Sequence, residues 1–176
     1  MLFRSIILSW QGIDNKKLKI EVIPCCADLK HFSRDRFDEK TIEEAGKKLG
    51  ISKNDFVLSY IGSLGTWYLL DEMMKFFKRL IYQKPEAKFL FITQENPQKI
   101  YETAEKNELK KNVIVVKSAS REEVPLYTLL SDLSVFFIKS SFSKTASSPT
   151  KMGELLGLGI PVITNPSIGE DRKSVV

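Results

Sequence analysis

Lys151 and Glu154 lie three residues apart in the stretch Ser147–Thr164, S-S-P-T-K-M-G-E-L-L-G-L-G-I-P-V-I-T. Their types and spacing could hold an anion beside a sugar. The stretch reads as a helix start, a stop and a strand. Ser147 or Ser148 can cap, Pro149 suits the first helical position, and Lys151 and Glu154 follow on one helical face. Gly157 and Gly159 stop the helix, and Ile160–Thr164 reads as a buried strand. A helix N-terminus offers free backbone N–H groups and the positive end of the helix dipole. Lys151 adds a cation there, and Glu154 adds a carboxylate able to accept two hydroxyl hydrogen bonds. A ligand with phosphates at one end and a vicinal diol beside them fits, and a nucleotide ribose diphosphate has that pattern. The simpler alternative is a surface ion pair worth roughly 0.3 kcal/mol. The apolar neighbours Met152, Leu155, Leu156 and Leu158 argue against it, because charges on a covered helix need partners.

Two further segments carry polar chemistry. The loop G-S-L-G-T-W, Gly62–Trp67, follows an apolar run and precedes an amphipathic one. Glycines there let backbone approach a phosphate closely. The loop is not G-x-G-x-x-G, which argues against a nicotinamide cofactor, and no G-K-[ST] occurs, which excludes a P-loop. The segment Lys139–Ser148, K-S-S-F-S-K-T-A-S-S, is rich in hydroxyls; it reads either as a solvated loop or as a polar lining for a sugar or phosphate. His31, the only histidine, has no nucleophile or metal-ligand partner at a useful spacing and reads as a surface or loop residue. Cys25 and Cys26 are adjacent, so they rarely pair with each other and do not complete a zinc site. They read as small buried residues of a reducing compartment. Arg121, Glu122 and Glu123 read as a solvated first turn. No metal and no cofactor are expected.

These residues need a frame. The chain has 176 residues, with 43% hydrophobic and 28% charged, which suits one soluble globular domain. Its formal net charge of +5 favours anionic partners. The lysines are scattered and no basic stripe is interleaved with aromatics, so nucleic acid is not an expected partner. The apolar run Met1–Trp10 is too short to span a bilayer, is interrupted by Arg4 and lacks a cleavage site. A cytoplasmic location follows, with contact at the inner face of a membrane allowed.

Strand-length apolar runs alternate with longer amphipathic ones. The runs Leu18–Pro24, Phe56–Ile61, Lys88–Thr93, Val113–Lys117, Leu133–Lys139 and Ile160–Thr164 read as strands. The segments Thr41–Leu49, Trp67–Tyr82, Pro97–Asn107 and Arg121–Leu130 read as helices, with Leu69, Leu70, Met73, Phe76, Phe77 and Leu80 on one face of the second. Continuous apolar strands separated by helices imply an α/β fold, a Rossmann-like, doubly wound parallel sheet. Its ligand belongs at the strands' carboxyl ends, near Gly62–Thr66, Thr93–Asn96, Ser118–Ser120 and Lys139–Ser148.

In order along the chain stand I-P-C-C-A-D-L-K-H-F, Y-I-G-S-L-G-T-W, R-E-E-V-P-L-Y…S-D-L-S-V-F-F and S-P-T-K-M-G-E-L-L-G-L-G-I-P-V-I-T-N. This series resembles the donor half of group 1, family 4-like glycosyltransferases of the two-domain GT-B fold. The resemblance covers nearly the whole chain, and its last block is the most specific. It implies a C-terminal domain that binds a nucleotide-sugar. Gly62, Ser63 and Gly65 then face the diphosphate and sugar, together with Ser148 and Thr150 at the helix start. Lys151 or Lys144 neutralises the diphosphate, Glu154 holds the ribose hydroxyls as the last Glu of E-x7-E, and Ser118 and Ala119 lie near the base. The first Glu of that motif falls at Ala146, and the basic residue usual after the glycine is Ser63.

The resemblance further implies transfer of a hexose, with retention and without a metal, from a nucleoside diphosphate sugar to a glycan or lipid-linked acceptor. On this reading residues 1–176 are one donor domain, cut short at its C-terminus and lacking the acceptor domain, and the fragment alone is inactive. Two alternatives stand beside it: a sugar-nucleotide epimerase, and a non-catalytic GT-B-like nucleotide-binding or interaction module.

Overall fold

The sheet is built from the runs that are apolar at successive positions. In the computed structural model, which describes residues 7–12, 19–21, 26–141, 144 and 149–166, they form β1 (Val57–Ile61), β2 (Lys88–Ile92), β3 (Ile114–Lys117), β4 (Leu133–Phe136) and β5 (Val162–Thr164). All pairings are parallel, and the strand order is β3-β2-β1-β4-β5. Every residue of β1 and all but the first of β2 are buried, as a sheet covered on both faces requires. The helices are α1 (Glu39–Lys48), α2 (Leu70–Gln83), α3 (Gln98–Lys106), α4 (Val124–Thr128) and α5 (Thr150–Gly157). This is the α/β, Rossmann-like architecture that the alternation implies.

The core is aromatic where α2 meets the sheet. Phe77 of α2 lies 5.0 Å from Phe89, which lies 4.2 Å from Phe91, and the register sets Tyr60 opposite Phe91. Met73, Met74 and Phe77 are fully buried. Such rings bury large areas and fix their neighbours by shape.

Five expectations change. Residues 67–69 are not helical. The Tyr68 N–H donates to the Gly65 carbonyl, and Tyr68 bridges antiparallel to Ile138. The N–H of Leu69 donates to Phe137 and that of Lys139 to Trp67, so this pairing shortens both α2 and β4 relative to the runs read from sequence. Pro149 is the N-cap of α5 rather than its first residue. Cys26 is exposed, since it opens the surface segment that leads into α1. Residues 19–21 are in no strand, and the rest of the run Leu18–Pro24 lies outside the described residues, as do Cys25, Ala146, Ser147 and Ser148.

Candidate functional site

The order β3-β2-β1-β4-β5 reverses between β1 and β4, so the loops leaving these strands diverge and open a crevice at their carboxyl ends. A cleft of about 350 Å³ lies at this edge. Its floor is Ile61, Gly62 and Ser63 after β1 and Ile92 and Thr93 after β2. Ala119, Arg121 and Val124 close one side, and Phe32 and Glu154 another.

The glycine loop is held in shape by side chains. The Tyr60 hydroxyl donates to the Ser63 carbonyl. The Leu64 N–H donates to Glu95 Oε1 at 2.8 Å, and Leu64 itself is buried. The Gly62 N–H donates to the Ile92 carbonyl. Gly62 has φ +107°, a conformation that L side chains rarely adopt, which explains glycine there. The N–H groups of Ser63 and Gly65 donate to no described residue.

Glu154 reaches the cleft because α5 is packed tightly against residues 27–32. A Cβ at Gly153 would stand 3.2 Å from Ala27 Cβ, and one at Gly157 only 2.8 Å from Leu29 Cδ2. Glycines one turn apart admit that segment, and the segment carries Phe32 into the cleft wall. The same segment holds Arg121: His31 Nε2 meets the Arg121 carbonyl at 3.0 Å, and the Arg121 guanidinium lies 5.9 Å from the Phe32 ring centroid. His31 is a loop residue, but its side chain is largely covered, with Arg36 and Glu122 against it.

Lys151 and Glu154 part company. No ion pair forms between them within 4 Å among the described residues. Lys151 turns inward, where its Nζ donates to the Ile61 carbonyl at 2.8 Å. It lies 3.8 Å from the Tyr68 ring centroid, 4.6 Å from that of Tyr60 and 5.6 Å from that of Phe136. Burial pushes its amine down to about 7, with Glu154 opposing. Burial also raises the phenols of Tyr60 and Tyr68.

Gly62, Ser63, Ala119 and Glu154 therefore line one cleft. Lys151 touches Gly62 from behind it. Gly65, Ser118 and Thr150 are exposed and do not line the cleft, and Lys144 stands over Trp67, its Nζ 4.8 Å from the ring centroid. Ser148 lies outside the described residues. Sequence reasoning did not single out Phe32, Glu95 or Arg121, although Glu95 falls in the loop Thr93–Asn96 expected at the ligand edge. The signal for Arg121 was its place just after a strand's carboxyl end; the residue is exposed and stands at the rim of the cleft. Among the described residues no group of three or more His, Cys, Asp or Glu could hold a metal ion, and no helix is long and apolar enough to cross a membrane.

The fold has relatives of known structure. WaaG, a glycosyltransferase involved in lipopolysaccharide biosynthesis, aligns at TM-score 0.67 and 17% identity over 85% of this chain and 38% of its own. A glycosyltransferase from Rickettsia africae aligns at TM-score 0.63 and 16% identity over 95% of this chain and 42% of its own. HepE of Anabaena, in complex with UDP-glucose, aligns at TM-score 0.61 and 14% identity over 85% of this chain and 39% of its own. The chain thus spans well under half the length of each. No curated protein is significantly similar to it in sequence. The family model "Glycosyl transferases group 1" matches residues 41–173, most of the sequence. The chain belongs to the group 1 glycosyltransferases.

Proposed function

We propose that the cleft takes the nucleoside diphosphate portion of a nucleotide-sugar, and that the chain is the donor-binding part of an enzyme that transfers the sugar. The observation that carries this reading is the convergence of Gly62, Ser63, Ala119 and Glu154 on one crevice at the strand-order reversal. Glu154 accepts the two ribose hydroxyls. The diphosphate lies against the free amides of Ser63 and Gly65 and the N-terminus of α5, with Lys144 and Lys151 as flanking cations. The base lies toward Ser118 and Ala119, beside Arg121.

Breaking the bond from sugar to diphosphate leaves negative charge on the departing phosphate oxygen. Amides fixed before the reaction stabilise that charge without reorganising. The pinning of the glycine loop by Tyr60 and Glu95 supplies such fixity. The α5 dipole and the lysines add positive potential. In this reading these groups carry the charge that a divalent cation would otherwise take, and no cofactor takes part. Glu154 positions and does not transfer a proton. The reacting hydroxyl comes from a glycan or lipid-linked acceptor held by a part of the enzyme beyond these residues. The donor delivers a hexose with retention at its anomeric carbon, in a cytoplasmic enzyme that touches the inner face of the membrane.

Titration with UDP-glucose, GDP-mannose and ADP-glucose tests the assignment. Binding of one of them, weakened about tenfold or more in Glu154→Ala, is expected, since a hydrogen bond to a charged group is worth roughly 1.5–3 kcal/mol. No binding of any of them at millimolar concentration favours a module that has kept the fold without the site.

A further inference from the structure

Lys151 is a part-buried amine with no described carboxylate in ion-pair reach, standing behind the wall of the cleft. The groups around it can be named element by element. On its own helix, Glu154 faces the cleft. From β1 come the Ile61 carbonyl and the Tyr60 ring, whose hydroxyl is spent on Ser63. From the loop before α2 comes the Tyr68 face, and from β4 the uncharged Phe136. After β2, Glu95 is spent on the Leu64 N–H. Aromatic faces and one carbonyl return part of the lost hydration of an ammonium; among the described residues no anion pairs with it, and Glu154 only opposes the downward shift from a distance.

Gly62 is the partition. A Cβ there would stand 3.2 Å from Lys151 Nζ, and the same residue lines the cleft. With no side chain at Gly62, a single peptide unit separates the amine from a phosphate lying on the loop. In a site of low polarity, a charge so near strongly favours the protonated form.

We propose that binding of a diphosphate in the cleft is coupled to protonation of Lys151, so that the nucleotide-sugar is taken up together with one proton. The coupling rests on the donor assignment made above. The amine gains a proton from solvent, and no bond in the ligand changes. The burial that pushes Lys151 down to about 7 leaves it divided between its two forms at neutral pH, so a shift in either direction is measurable. The bound state holds more protons, so affinity falls as pH rises above about 7. By the same linkage, the ligand raises the amine's basicity as much as protonation raises the ligand's affinity.

Calorimetric titration of the 176-residue chain with UDP-glucose, GDP-mannose and ADP-glucose, in buffers of different ionisation enthalpy, counts the protons. The charge of a diphosphate diester is constant over the range used. Expected is uptake of about half a proton per ligand near pH 7, approaching one near pH 8.5, with affinity weakening up to about tenfold per pH unit above 7. Lys151→Arg, a permanent cation, should bind without uptake, and Lys151→Met should lose uptake as well. His31→Gln, which removes the one imidazole, should keep it. Heats independent of buffer in the wild type, or uptake that persists in Lys151→Arg, overturn the coupling while leaving the donor assignment standing. Failure of every donor to bind overturns the assignment and the coupling together.

Discussion

The two edges of the sheet hold cavities of unequal size and unlike chemistry. The larger, about 590 Å³, lies at the amino ends of the strands, among Ile42, Ile51, Val57, Leu130 and Asp132. Several of its polar groups are occupied in closing the fold. Asp132 Oδ2 accepts from the Val57 N–H at 2.7 Å, Asp55 Oδ2 from the Ser52 N–H at 2.8 Å, and Glu43 pairs with Lys53 at 3.3 Å. The smaller cleft at the carboxyl edge holds Glu154 and Arg121, which form no side-chain hydrogen bond or ion pair among the described residues. Lys151, part-buried behind its wall, has no described anion within ion-pair reach. Volume marks where the fold leaves room, and unspent polar groups mark where a ligand is expected. Parallel strands make the two edges unequal, because every loop that can hold a ligand leaves from the same end.

The comparison can be broken most sharply at Lys151. In the unfolded chain its amine has the ordinary value of 10.5, and in the folded chain burial holds it to about 7. Between those values the unfolded state binds more protons, so stability rises with pH from about 7 upward and is lowest below 7. Denaturant midpoints measured from pH 6 to 10 should show the wild type gaining on Lys151→Met by an amount on the order of 3 kcal/mol. Parallel curves for the two proteins would place the amine in water instead.

Gly62→Val comes next. It forces an L side chain into φ +107° and toward the Lys151 ammonium. The strain should cost about 2 kcal/mol in unfolding experiments and weaken nucleotide-sugar binding at least tenfold. At the opposite edge, Asp132→Ala strands the Val57 N–H and should cost about 1–2 kcal/mol of stability. Its affinity for nucleotide-sugar should equal the wild type's. A loss of binding there would move the functional edge to the wrong end of the sheet.

The strands were legible in the sequence wherever burial on both faces demands apolar residues throughout, as at Val57–Ile61 and Lys88–Ile92. Trp67–Leu69 were not. Their helical periodicity is real, but their backbone bonds to residues 137–139, a partnership that no local window contains. The spacing of Lys151 and Glu154 pointed to the right helix but not to the lysine's place behind Gly62. A four-carbon stem on the first turn lets the ammonium reach back under Gly62, while the shorter glutamate stays at the cleft. Gly153 and Gly157 also permit the close approach of residues 27–32, a long-range contact that a helix stop at Gly157 does not reveal.

The proposed grip of Glu154 on the ribose of a sugar nucleotide can be tested directly. A double-mutant cycle measures it: wild type and Glu154→Ala, each titrated with the preferred nucleotide-sugar and with its 2′-deoxyribose analogue. The mutation and the missing hydroxyl should each weaken binding about tenfold, and the second change should add little once the first is made. Losses that simply multiply, or a Glu154→Ala protein that binds as tightly as the wild type, would contradict it.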